Sequence, residues 1–551
     1  MRNFYIFIIS IFVLCVLLFM SSFFYLDKTK HKIYHFIVSL DGREVGTITV
    51  NKFETEDKLI YKSASETPFY PVFTSSKARI VLDKKYNLES FSDEDRGNSI
   101  TDSLFIENDI NKLSFITISG SSFSTLNAMP VKAGTFIFEE WSPVTYLPVI
   151  ENYDFKRGRS QGFRAVTYFY SMLPPVKRFI TVTSIRDEYI EIDSHRVKAE
   201  CMLIKTRNYP QVTLWVGKTD RSILMIELPD KKLKITRVLK PVKLNAPNYA
   251  PANEAYTSKS VSFKSDNVQL EGTLTVPNKG GAFPGILLLG GDGPEDREYQ
   301  GLFTSMADNF SKDGFVVLRY DRRGIGSSAG NSAASTDSDE VKDSLAALDF
   351  LKSQKEVAPD DLTIIAHSKG TFYASTIINT RADIRSAVFM APVSTVVTKD
   401  LTDPISLKAI SDKLNWNEEY LNLAIRSGKE RFDLIKAGDR RWVSLLGKRC
   451  FMDKMREELD EDPVAEAKLI NIPVLIIEGK EEGTAASGSA SIIDRAIASS
   501  GNTAHTLTYF SYLGRFLGKL VNDGTCKIHY EIDSGVMDAI RNWFKSRPAA
   551  I

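Results

Sequence analysis

Residues 362–370 read Leu362-Thr363-Ile364-Ile365-Ala366-His367-Ser368-Lys369-Gly370. An apolar, β-branched run leads into a short turn closed by glycine, and residues 371–378 behind it have helical character. Strand, tight turn and helix in that order lift the residue at the tip of the turn, Ser368, above the end of a sheet. Such a turn is strained and its backbones pass closely, so its first and last positions need small residues. Gly370 supplies the last, and Ala366 stands at the first where glycine is usual. Ser368 therefore reads as a candidate nucleophile, with the backbone amide of Lys369 as one candidate oxyanion donor. His367, one residue before the serine, is expected to point away from the active face.

The surrounding sequence supplies the sheet this turn requires. Apolar strands are expected over 285–289, 316–320, 362–366, 387–390, 473–478 and 506–509, alternating with amphipathic helices. That grammar predicts an α/β domain with a mostly parallel sheet and helices on both faces, over 260–551, after an antiparallel pair at 261–263 and 270–276. A helix opens at Thr336-Asp337-Ser338-Asp339, with acids in its first turn and Val341, Leu345 and Leu348 on one face. A largely helical insert, about 393–470, carries Trp416, Trp442 and Phe451 where a lid over a strand-end site would lie.

Arg319-Tyr320-Asp321-Arg322-Arg323-Gly324-Ile325-Gly326-Ser327-Ser328 follows another strand and matches the D-x-R-G-x-G-x-S turn common in α/β-hydrolases, where its role is structural. Together with Gly290-Gly291-Asp292-Gly293-Pro294-Glu295-Asp296-Arg297 and the elbow, it resembles the EstD-type carboxylesterases, across about residues 261–544. That resemblance implies an α/β-hydrolase fold with a helical lid insert and hydrolysis of a small carboxylic ester through an acyl-enzyme at Ser368. It also implies Asp292 and Lys369 as oxyanion-hole amides, and an acid after the strand 473–478. There Gly479-Lys480-Glu481-Glu482 offers Glu482, with Glu481 beside it. The sequence departs from the pattern where Gly290 replaces a histidine and Asp292 a serine.

The sharpest departure is Gly514-Arg515-Phe516, where the family carries Gly-His-Phe. A guanidinium is always charged and has no acceptor, so Arg515 cannot take a proton from a serine hydroxyl. The chain has six histidines, and His529, between the last turn and the last helix, is the only other candidate base. Two readings follow: a serine hydrolase, or a pseudo-hydrolase in which Arg515 pairs with Asp292, Glu481 and Glu482 around a ligand pocket.

Upstream of the hydrolase-like half, residues 32–240 run in short alternating segments rich in Val, Ile, Thr, Phe and Tyr, an all-β domain read as a curved antiparallel sheet or half-barrel. Asp41-Gly42 marks its first hairpin. Such a domain is similar in general form to envelope modules that bind lipid or apolar ligands, which gives a third reading in which it carries the function. Residues 241–259 collect Pro, Asn and Ala and read as a linker. At the start, residues 3–26 are uncharged and apolar over a length that spans a bilayer, so 1–27 reads as an uncleaved anchor, with cleavage after Met20-Ser21-Ser22 the alternative. Lys28, Lys30 and Lys32 on its C-terminal side oppose an inward N-terminus, yet export to the cell envelope or periplasm is the expected outcome.

Across all 551 residues, 70 Lys and Arg balance 69 Asp and Glu, which gives no electrostatic case for a nucleic-acid partner. Expected partners are a small ester or apolar ligand and, through the anchor, a membrane. Cys201, Cys450 and Cys526 lie far apart, so neither a disulfide framework nor a metal site is expected, and no nucleotide or dinucleotide motif is present; no cofactor is expected.

Overall fold

The structure, a computed structural model, describes residues 29–546 except 41, 67–74, 97–100, 120–121, 140–141, 168–172, 207–210, 243–254, 292–295, 415, 439, 481–487 and 523–527. The anchor read over 1–27 lies outside the described residues. Among the described residues no helix is long and apolar enough to cross a membrane.

The N-terminal part is built on one sheet of fifteen strands. Eight consecutive strands, from Lys30–Leu40 to Ser122–Pro130, form one run of antiparallel hairpins; seven more, from Thr135–Ile137 to Leu233–Val238, form a second run, antiparallel from Ser160–Thr167 onward. The runs join where the first strand pairs with the last, from His35↔Val238 to Leu40↔Leu233. Period-two alternation drives the layout: Tyr34, Phe36 and Val38 face inward along Lys30–Leu40 while their neighbours face out. Leu40 pairs with Arg43, and Gly42 before Arg43 stands at φ +79°, while Asp41 lies outside the described residues.

Two features differ from the all-β expectation. Helix Pro143–Glu151 lies inside the domain, with every residue from Pro143 to Ile150 buried. It touches strands of both runs, Lys58–Glu66, Ser75–Asp83, Thr135–Ile137 and Ile223–Leu228. Leu88–Arg96 also touches Thr135–Ile137 although ten strands lie between them in the sheet, so the sheet curls around the helix. Hydrophobic burial of Val144, Tyr146, Leu147, Val149 and Ile150 in the sheet's own core thus fills the space a half-barrel would leave open. The second difference is one parallel pair, Thr135–Ile137 with Ser160–Thr167.

The C-terminal domain has an eight-stranded sheet whose strands, numbered along this domain, lie in the order 1-2-4-3-5-6-7-8. The first two strands, Tyr256–Ser265 and Val268–Pro277, are antiparallel to each other, and the second is antiparallel to Val316–Tyr320; all other pairs are parallel. Tyr256–Ser265 begins inside the stretch read as linker, because Tyr256 to Lys259 find ladder partners from Pro277 to Leu274. The central strands Val316–Tyr320 and Val474–Gly479 are buried at every residue, as strands covered on both faces must be. Helix Asp337–Lys352 starts with a reciprocal capping box between Thr336 and Asp339.

The insert runs from helix Val397–Thr402 to helix Pro463–Lys468. Trp442 and Phe451 lie on no helix: they face each other across a two-stranded hairpin, Trp442–Leu445 with Lys448–Phe451. The insert is also gripped by the N-terminal domain. From helix Glu418–Lys436, Arg431 Nη2 donates to Ser124 Oγ (2.7 Å) and Ser427 Oγ to the Thr125 carbonyl (2.8 Å), beside an apolar cluster of Ile116 and Phe123 with Ile435, Cys450, Met452 and Met455. Cys201 and Cys450 are buried free thiols, and Cys526 lies outside the described residues.

Candidate active site

Strand Val357–His367 ends in the elbow, and helix Gly370–Thr380 leaves it. Ser368 sits between them, buried, at φ +57°, a left-handed backbone that a non-glycine residue holds only where its surroundings over-determine it. Its amide donates to the Met390 carbonyl of the neighbouring strand (2.9 Å). A Cβ on Gly370 would stand 2.4 Å from the Gly290 carbonyl oxygen, which is why the last elbow position has no side chain. A Cβ on Gly291 would stand 2.7 Å from Ser368 Cβ and 2.9 Å from its Oγ, so the Gly290–Gly291 loop lies directly against the hydroxyl.

Arg515 comes to the same hydroxyl from the loop after the last sheet strand, His505–Phe510, and its Nη2 donates a hydrogen bond to Ser368 Oγ. The loop is pressed onto the sheet: a Cβ on Gly479 would stand 2.2 Å from the Leu513 carbonyl oxygen and 2.4 Å from that of Gly514. A donor on Oγ leaves the serine with no acceptor for its proton at that contact.

His367 holds the site together. Its Nε2 donates to the Arg515 carbonyl (2.9 Å), and its Nδ1 accepts from the Tyr299 hydroxyl (2.9 Å). That hydroxyl in turn accepts from the Gly291 amide at 3.0 Å. One chain of hydrogen bonds therefore links Gly291, Tyr299, the elbow strand and Arg515, with the His367 ring stacked on Phe516. Tyr299 had no signal in the sequence, since a lone tyrosine after a loop carries no spacing. The Gly291 carbonyl accepts from Arg322 Nη1 (2.7 Å), and Arg322 is held by Glu340 (2.8 Å), so the D-x-R-G turn also braces this loop. Asp321 receives the Arg297 amide and guanidinium and the Ser327 amide; burial would raise its pKa, and these donors outweigh it and lower it.

Burial drives the His367 ring down from 6.5 to about 3, the nearby Arg515 charge adding to the effect while the bond to its carbonyl opposes it. The ring is thus neutral in the folded protein, whereas the unfolded ring takes up a proton below about pH 6.5. Stability present above pH 6.5 is lost as the pH falls toward 3, at about 1.4 kcal/mol per unit, which gives about 2–3 kcal/mol by pH 4.5. Urea unfolding at pH 7 and pH 4.5 should show that loss, and His367→Gln should remove this part of the slope.

Lys369 lies with its side chain in a buried ion cluster beneath the elbow. Its Nζ pairs with Asp337 and Glu458 and lies 3.6 Å from Glu461, while Lys454 Nζ lies 3.6 Å from Asp337 and Tyr373 donates to Asp337 at 2.6 Å. Glu458 and Glu461 come from the insert, so the residue after Ser368 ties the insert to the elbow.

Asp292, Glu481 and Glu482 lie outside the described residues. His529 falls on strand Ile528–Ile532, paired with Val521 in a terminal hairpin rather than in a loop, because Gly518–Asn522 offers a ladder. Its ring packs on Gly301, and its Nε2 lies 3.4 Å from Glu531. Glu478, at the end of Val474–Gly479, is a buried carboxylate raised by burial and met by the Gly488 amide at 3.2 Å. Among the described residues no His, Cys, Asp and Glu group is arranged to hold a metal.

Residues 297–511 match the family model described as serine aminopeptidase, S33. Esterase EstD of Thermotoga maritima is 26% identical over 214 residues, 38% of this chain and 49% of that protein, so the match spans about half the length of this curated relative. Two similar solved structures are Est1E from Butyrivibrio proteoclasticus (15% identity, 52% of this chain and 97% of that one, TM-score 0.36) and the Pyrococcus furiosus esterase Pf2001 (15%, 50% and 92%, TM-score 0.34). Over these residues the C-terminal domain is similar to esterase-type α/β-hydrolases.

Proposed function

We propose that the C-terminal domain uses its esterase-type pocket to bind a small ester- or carboxylate-bearing ligand through Ser368 and Arg515, without turning it over at the rate of a serine hydrolase. The observation that supports this most is the Arg515 guanidinium donating to Ser368 Oγ, where a base would have to accept. Loss of the triad base costs about four to six orders of magnitude in rate. Purified full chain should therefore label with a fluorophosphonate, and cleave p-nitrophenyl butyrate, no faster than its Ser368→Ala variant. Wild-type labelling that disappears in that variant would sink the proposal.

A second reading, ester hydrolysis through an acyl-enzyme at Ser368, draws support from the strained φ of that serine and from Gly291 lying against its hydroxyl. It would use the Asp292 and Lys369 amides as the oxyanion hole, Glu482 as the acid and His529 as a substitute base, and it requires Arg515 to leave the hydroxyl. For the rest of the chain, we propose residues 1–27 as a membrane anchor with both domains on the extracytoplasmic side, on the strength of the uncharged run 3–26. Carbonate extraction of membranes, with and without residues 1–27, is the measurement that decides it: release of the intact chain into the carbonate wash would overturn the anchor.

A further inference from the structure

We infer that the hairpin of the insert carries a second ligand site, for an amphipathic organic anion with a carboxylate or phosphate head and an apolar body. The site is a cavity of about 940 Å³ between the hairpin, the end of helix Glu418–Lys436 and Ala334, a volume within the range of small-molecule pockets. Neither Ser368 nor Arg515 lines it, so it is separate from the elbow and independent of the function proposed there.

Its chemistry selects the ligand. Arg440, Arg441 and Arg449 line the cavity together with Trp442, Phe451 and Leu434, and among the described residues no aspartate or glutamate does. Arg441 shares its charge with Asp453 at 2.6 Å. Arg440 and Arg449 have no carboxylate partner among the described residues, and the Arg449 guanidinium lies 4.5 Å from the centre of the Trp442 ring. Guanidinium forks match the paired oxygens of a carboxylate or phosphate, and three arginines in one lining disfavour a cation. Trp442, 43% exposed, and Phe451 and Leu434 offer an apolar wall that an inorganic anion would leave unused.

The hairpin is also fixed before any ligand arrives. Lys448 sits 3.9 Å from the centre of the Phe105 ring, and Cys450 is buried in the cluster with Ile116 and Phe123 of the N-terminal domain. A pre-formed site loses less ordering entropy on binding.

The test uses the full chain in neutral phosphatidylcholine nanodiscs, titrated with octyl phosphate while tryptophan fluorescence is followed, with Trp442→Phe to isolate the signal. Octyl phosphate should quench Trp442, while inorganic phosphate and n-octanol should each bind at least about ten-fold more weakly. Arg440→Gln with Arg449→Gln should cost at least about ten-fold in affinity, and Lys429→Gln, an exposed cation on the neighbouring helix, should leave it unchanged. Octanol binding as tightly as octyl phosphate, or unchanged affinity in the double variant, would overturn the site. Replacing the lipid by phosphatidylglycerol separates two sources of the same head chemistry. A response lost there assigns an acidic lipid headgroup, and a response retained there assigns a free amphiphile.

Discussion

Arg515→His should produce fluorophosphonate labelling at Ser368 and raise hydrolysis of p-nitrophenyl butyrate by about a hundred-fold over the wild type. The reason lies in one contact: in the wild type a permanent cation donates to the serine oxygen, and nothing at that contact can accept the serine's proton. An imidazole on the same loop could. Full restoration is not expected, because the histidine side chain is shorter than the arginine it replaces and the backbone cannot advance to compensate. The Arg515 carbonyl is tied to His367 Nε2 at 2.9 Å, and the carbonyls of Leu513 and Gly514 already press on Gly479. Arg515→Lys, which keeps the charge and supplies no acceptor at neutral pH, should stay at the wild-type rate, and Arg515→His with Ser368→Ala should return to it. A wild type that already hydrolyses the ester through Ser368, or an Arg515→His variant that gains nothing, would show that the guanidinium is not what silences the serine.

The elbow was legible because its signal is local. A strand, a small residue, a serine and a glycine fall within nine positions, and the fold needs each of them there. The same holds for the D-x-R-G turn and for the helix start at Thr336. Arg515 was legible through a match of position to a family pattern, and the structure adds the physical cause: Gly479, having no side chain, lets the backbone of that loop close onto the end of its strand.

The features the sequence hid depend on partners far along the chain. Helix Pro143–Glu151 has a proline at its start and another, Pro148, inside it, so its local propensity reads against a helix; burial on all sides supplies what propensity does not. The hairpin bearing Trp442 and Phe451 turns through Leu446 and Gly447, both at positive φ, and leucine is not a residue that announces such a turn. Tyr299 and His367 form their hydrogen bond across 68 positions, and no periodicity records it.

Lys369 was read for its amide alone, and its side chain underlies the second large prediction. Lys369→Met should destabilise the C-terminal domain by about 3–5 kcal/mol, because it removes the cation from a buried cluster and leaves its acids in place. Burial pushes the Glu461 carboxyl up to about 9, against the pull of Lys369, and the two acids in closest contact with the ammonium, Asp337 and Glu458, each lie 2.5 Å from it. Both are buried, and the one remaining lysine, Lys454, lies 3.6 Å from Asp337. Glu458 would then keep its hydrogen bond from Thr398 but lose the ammonium it contacts, with Arg431 acting on it only at longer range. Adding Glu458→Gln to Lys369→Met should therefore restore part of the loss, about 1–2 kcal/mol, since the amide keeps a partner for Thr398 without a charge to desolvate. Equilibrium unfolding of the two variants measures both quantities. Glu458 and Glu461 belong to the insert, so the single variant should also expose residues 397–468 to limited proteolysis before the sheet unfolds. A loss below about 1 kcal/mol, the range of a solvated surface pair, would mean that this cluster does not hold the insert against the elbow.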